Sequence, residues 1–304
     1  MYSRWFNAAV VVLWLSAMGW LVMAKVLPPL LVGTPPSYDT ILQAQRGEPP
    51  VGWRMIFNGK ELGWALSTAS ALPDRMTEVR SWVHFDRIPL EDLTPDWLRA
   101  LVPLPVEPIG NLEMDARNTM LVDPLGRLAS FQSEVRVSPL KTLVKMSGEI
   151  VGNKLKYTIH TGDLPYEDEV RIPQDALLSD VLSPQTQLPG IRPGQTWTVP
   201  VYSPLRPPGN PLEILQATVQ DTEPIRWNGR TAETLVVVYA SDSGSRLGRR
   251  QRPRGKLWVR PDGTVLKQQV MIFNSTMTFV RLRDDQAAAL ERRVSPDWDE
   301  SPPR

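Results

Sequence analysis

The chain has 304 residues, with 34 basic and 33 acidic side chains and a net charge of +1, so no overall field directs it to nucleic acid or another polyanion. It contains no cysteine and only two histidines, His84 and His160, which excludes disulfides, thiol nucleophiles, cysteine-ligated metals and any three-histidine site within one chain. Thirty prolines favour short strands and loops over long helices.

At the N-terminus, Trp5 to Ala24 carries no charge and lies between Arg4 and Lys25. Twenty helical residues rise about 30 Å, which matches a hydrocarbon core. Trp5 and Trp20 stand near the two interfaces. Two readings compete: an uncleaved signal anchor, or a signal peptide cleaved after Val22-Met23-Ala24. The stretch exceeds the roughly 7–15 apolar residues of a signal h-region, which favours the anchor. A four-residue head is easily retained in the cytoplasm. The expectation is therefore a single-pass inner-membrane protein, with residues 1–25 as the transmembrane segment and the remainder in the periplasm or outside the cell. Residues 26–51 follow as a Pro-rich stem, with Pro28-Pro29, Pro35-Pro36 and Pro49-Pro50 holding it extended.

From Gly52 onward the pattern is one of alternating apolar runs broken by turn residues. Trp53 to Phe57 meets Asn58-Gly59, one of the strongest hairpin signals because both residues tolerate positive φ. Thr119 to Val122 leads through Asp123-Pro124-Leu125-Gly126 into Leu128 to Val137. Glu149 to Val151 turns at Gly152-Asn153 into Leu155 to Ile159. Ile214 to Val219 is followed by Asn228-Gly229 and then by Thr234 to Tyr239. Trp258-Val259 turns at Asp262-Gly263 into Val265 to Phe273, and Met277 to Leu282 forms a last strand. Without regular crossover helices, this predicts a mainly β fold: an antiparallel meander forming a curved sheet or a half-open barrel. Short helices are expected at Thr94 to Leu101, at Gln174 to Leu182 and at Asp284 to Arg293, with a disordered tail after Val294. The β-rich region, 52–283, reads as one domain or as two halves, 52–160 and 190–283, followed by residues 284–304.

Three segments carry a family likeness: Trp53 to Gly63 with its Asn-Gly turn, the step Pro193-Gly194-Gln195-Thr196-Trp197, and the hairpin from Trp258 to Lys267. On these, residues 52–283 resemble an uncharacterised β-rich domain of bacterial envelope proteins, some associated with transglutaminase-like domains, and are similar to half-open barrels of the lipoprotein-carrier type. The resemblance implies a framework and no catalytic residues. The cysteine that a transglutaminase-like domain requires is absent.

Among chemistry-bearing residues, His160 and Asp163 are three apart, which suits half of an acid–base pair or a strand end entering a turn. His84 sits in a strand-like alternation, as a surface or core histidine. Asp163, Glu167, Asp168 and Glu169 make an acidic loop without EF-hand spacing. No Walker, Gly-x-Gly-x-x-Gly or His-Glu-x-x-His motif occurs, and no metal or cofactor is expected. The one basic run is Arg246, Arg249, Arg250, Arg252, Arg254 and Lys256, a patch for an anionic partner or else a solvated loop. Trp53, Trp64, Trp82, Trp197, Trp227 and Trp258 fall in or beside strands, where they line an apolar groove or fill a core. The function expected is non-enzymatic: a membrane-held envelope protein that binds or assembles a hydrophobic ligand, such as a lipid, or an envelope protein. The alternatives are a carboxylate-dependent cell-wall hydrolase, whose paired carboxylates sequence cannot reveal, and a pure interaction scaffold.

Overall fold

The computed structural model describes residues 4–21, 23, 38–87, 112–138, 142–161, 164–171, 177–178, 184–202, 212–241, 253–272 and 275–299. Among these residues fifteen strands form a single sheet. They are β1 (Val51–Phe57), β2 (Lys60–Ala71), β3 (Thr77–Phe85), β4 (Glu113–Val122), β5 (Leu128–Ser138), β6 (Thr142–Val151), β7 (Lys154–Thr161), β8 (Leu164–Arg171), β9 (Leu177–Leu178), β10 (Thr196–Tyr202), β11 (Leu212–Trp227), β12 (Arg230–Ser241), β13 (Gly255–Val259), β14 (Val265–Ile272) and β15 (Ser275–Arg281). Among the described residues three helices accompany them: α1 (Arg4–Leu21), α2 (Tyr38–Gln45) and α3 (Asp284–Asp299).

The strand order runs β8-β7-β6-β5-β4-β3-β2-β1-β15-β14-β13-β12-β11-β10-β9. Every pairing is antiparallel except β9 with β10. The first strand lies against the last antiparallel one, with Trp53 opposite Arg281. The two expected halves, 52–160 and 190–283, therefore share one sheet joined at β1 and β15. The end strands β8 and β9 are not paired with each other, so the barrel stays open.

The turn chemistry explains the hairpins. Asn58 and Gly59 both take positive φ, as do Asn228 and Gly229, the combination a two-residue turn demands. Between β1 and β2 the register shifts at Met55/Ile56, opposite Gly63. A Cβ on Gly63 would stand 2.0 Å from the carbonyl oxygen of His84, so only glycine admits this bulge.

One face of the sheet, called inner here, carries the main core. Ten consecutive strands of the order, from β4 to β10, contribute to a single cluster that includes Met114, Val83, Trp53, Phe279, Val237 and Trp197. Laid flat, ten strands would span about 43 Å. The sheet instead curls about this face, which is why Trp53, Met55, Val237, Val265, Met277 and Phe279 are all 0% exposed. One end of the curl is filled by α2, through Ile41 and Leu42, and by the segment 184–195. That segment is bonded by Thr186 and Leu188 to Val265 and Gly263 and by the Thr186 carbonyl to the Arg281 guanidinium. The outer face is covered at its centre by α3. Leu290 and Val294 pack on Leu66 and Trp82, and Gly52 lets Ala287 approach β1 closely.

Four sequence expectations need correction. Glu167, Asp168 and Glu169 of the expected acidic loop lie in strand β8. Residues 38–45, inside the expected extended stem, are helical and enter the core. The helix expected at 174–182 contains β9 instead, paired with Val201 and Tyr202. The C-terminal helix runs on to Asp299 rather than ending at Arg293. The helix expected at 94–101 lies outside the described residues. Helix α1 has 18 residues, and among the described residues no helix is long and apolar enough to cross a membrane.

Candidate functional site

Strand alternation sorts the tryptophans onto both faces. Trp53 and Trp197 join the inner core. Trp64 and Trp82 lie on the outer face under α3. Trp258 is also on the outer face, opposite Lys267, whose ammonium sits 4.4 Å above its ring. Trp227, at the β11–β12 hairpin tip, donates its indole N–H to the Arg281 carbonyl at 2.8 Å. The six therefore do not meet in one groove. The indole N–H groups of Trp53 and Trp258 are buried without an acceptor, a cost of about 1–3 kcal/mol each that their apolar packing outweighs.

Of the basic run, Arg254 and Lys256 are described. Arg254 pairs with Glu213, Nε to Oε1 at 3.2 Å, and the same carboxylate oxygen accepts from the Ser241 hydroxyl at 2.6 Å. Arg254 thus clamps the ends of β11, β12 and β13 together. Arg246, Arg249, Arg250 and Arg252 lie outside the described residues. The strands flanking 88–111, 203–211 and 242–252 all end on the same side of the sheet, so these three connections leave from one end of the curl.

A surface of different character begins at β4. Residues of β1 and β3 on the inner face are buried, whereas those of β5–β8, Leu155 excepted, are half buried or exposed. The inner face of this wing carries apolar pairs, Val135 opposite Val144 and Met146 opposite Ile159, with Ser133 and Thr161 beside them in the same ladders. Phe131 lies across Gly148, where a Cβ would come within 2.5 Å of its ring. Tyr157 and Tyr166 pack at 6.5 Å and share Asp168 as their hydroxyl acceptor. Tyr166 is 56% exposed.

The outer face of the same wing is polar. Its cross-strand ladders read Ser130, Glu149, Lys156, Glu169 and Gln132, Ser147, Thr158, Glu167. Together they border a shallow depression of about 780 Å³. The bond from Lys154 holds the Glu169 carboxyl below its ordinary range. A carboxylate-dependent hydrolase needs one carboxyl raised to act as an acid. Among the described residues, each carboxyl with a resolved shift moves the other way. His160 stands exposed on this face, opposite Lys145 and Pro165, while Asp163 is outside the described residues.

Sequence reading missed one cluster, on the outer face at the β3–β4 seam. His84 lies directly opposite Asp115, with Nδ1 at 2.8 Å from Oδ1 and Nε2 at 3.3 Å from Asp86 Oδ1. The Trp82 indole N–H donates to the same Asp115 oxygen at 3.2 Å. Trp64 stacks on the imidazole with centroids 5.4 Å apart. The hydrogen bond to Asp115 raises the His84 pKa above 6.5, against the opposing pull of burial. Burial pushes the Asp115 carboxyl up, and the bonds from His84 and Trp82 more than offset this, leaving it lowered. Thirty-one residues separate the pair, so only the β3–β4 register could have revealed it.

No family model matches the chain, and no curated protein matches it. Among solved structures it is similar to a β-barrel-like protein of the DUF1849 domain of unknown function from Brucella abortus. The TM-score is 0.43 at 9% identity, covering 77% of this chain and 95% of that one. It is also similar to a chain from Parabacteroides distasonis provisionally classed as a lipoprotein, with a TM-score of 0.26 and 12% identity, covering 77% and 94%.

Proposed function

We propose that the chain is an envelope protein held at the inner membrane by residues 5–24, and that the inner face of its β5–β8 wing binds a hydrophobic ligand or the apolar surface of an envelope partner. The observation that carries the binding reading is the change at β4 from a sealed inner face to a half-exposed apolar row of Phe131, Val135, Met146 and Ile159. A sheet face left in this state loses the burial that stabilises the centre, at about 25 cal/mol per Å², and a ligand restores it. The tether rests on α1, whose residues from Val10 to Leu21 are all exposed although nearly all are apolar. A helix apolar all round finds its partner surface in lipid or protein.

Native mass spectrometry of the full chain, extracted in mild detergent from its own cells, tests this. A lipid or a defined protein retained by the parent and lost on Val135→Lys or Met146→Lys supports the reading. Retention unchanged by both substitutions, or a bare chain, contradicts it.

A further inference from the structure

We propose that His84 is a pH-sensitive clasp: its protonation sets the angle between the sealed centre of the sheet and the β5–β8 wing. The clasp sits on the outer face at the β3–β4 seam, the place where inner-face burial falls from complete to half. Asp115 Oδ1 gathers two side chains of β3, the imidazole at 2.8 Å and the Trp82 indole at 3.2 Å. The Arg117 guanidinium lies 4.2 Å over the Trp82 ring, adding a second cross-strand tie. Holding Asp115 through Nδ1 and Asp86 through Nε2 at once requires both nitrogens to donate, and only the imidazolium has two N–H groups. Drawing outer side chains together bends a sheet away from its inner face. The protonated clasp therefore holds the wing back and leaves its apolar row accessible. Loss of the proton frees Asp86 and removes the charge that strengthens the bond across the seam to Asp115, and the wing curls inward over that row.

The groups that face the imidazole are few. Asp86 follows the end of its own strand, and Glu113, Asp115 and Arg117 lie on β4. Trp64, on β2, is uncharged, and Arg293 reaches the Trp64 ring from α3 at 5.6 Å. The hydrogen bond to Asp115 and the charges of Asp115 and Asp86 favour the charged form of the ring, which places the transition above the ordinary histidine value.

The absence of native cysteine permits a clean distance measurement on the full chain in detergent. Spin labels go on Arg54→Cys, exposed on the outer face of β1, and on Glu167→Cys of β8. Pulsed electron paramagnetic resonance then follows their separation from about pH 5 to about pH 8.5. The expected result is a shift in the distance distribution, with a midpoint above 6.5, that is absent in His84→Gln. In Asp86→Asn, which leaves the Asp115 bond intact, the midpoint moves to lower pH. A distribution constant with pH in the parent overturns the proposal, as does the same shift persisting in His84→Gln or a midpoint unmoved by Asp86→Asn. No ligand enters the measurement, so its outcome is separate from that of the binding reading.

Discussion

Gly63 shows how one residue fixes local geometry that nothing else in the alphabet supplies. Its missing Cβ makes room for the His84 carbonyl, and Gly63→Ala forces backbone apart at the bulge. The expected cost is about 3 kcal/mol or more, read as a lowered denaturation midpoint. Gly152→Ala, at φ 68° with nothing within 4 Å, meets only the left-handed penalty of about 1–2 kcal/mol. Equal costs would contradict the steric account. His84 supplies a second test. Its pKa is raised in the folded chain, so its contribution to stability is complete below pH 6.5 and lost as pH rises through the raised value. The stability difference between the parent and His84→Gln is therefore expected to shrink with rising pH in urea titrations. A difference that grows would reverse the sign of the argument. At this scale the turns were legible: Asn58-Gly59 and Asn228-Gly229 occupy the conformations their chemistry favours. The face of each tryptophan was not. The bulge beside Gly63 puts Leu62 and Ala65, three apart, into the same core, and that shift cannot be read from alternation alone.

Among the elements, β8 shows an edge strand guarded against strand addition. Its connection to β7 is two residues long, and Thr161 opposite Leu164 closes the hairpin. Backbone groups of Leu164, Tyr166, Asp168 and Val170 then bond to β7, and those of Pro165, Glu167 and Glu169 point outward. Pro165 has no N–H to offer. The Glu169 N–H is taken by the Asp168 carboxylate at 2.8 Å. Three adjacent acids repel a second copy. Pro165→Val combined with Asp168→Ala is expected to give concentration-dependent association in analytical ultracentrifugation, and a strictly monomeric double variant would show that the charges alone suffice. The acids of β8 read as a loop in sequence because their alternation is polar on both faces. The helix α2 was hidden for a related reason: eight residues with two buried side chains, Ile41 and Leu42, are too few to show a period of 3.6.

For the whole molecule, the mainly β architecture with few helices was legible because alternation and turn signals are local. The meeting of β1 with β15 was not. It joins strands more than two hundred residues apart, and what selects it is the packing of Trp53, Met55, Met277 and Phe279 in one core. The result is a continuous curved sheet with a sealed centre and a half-open wing, and the functional account depends on the difference between them. Photo-crosslinking in the protein's own cells tests that difference most directly. A benzophenone amino acid is placed at Val135 on the inner face of β5 and, separately, at Gln132 on its outer face. A discrete adduct, lipid or protein, is expected from Val135 and none from Gln132. Equal adducts from both positions, or an adduct from Gln132 alone, would contradict it.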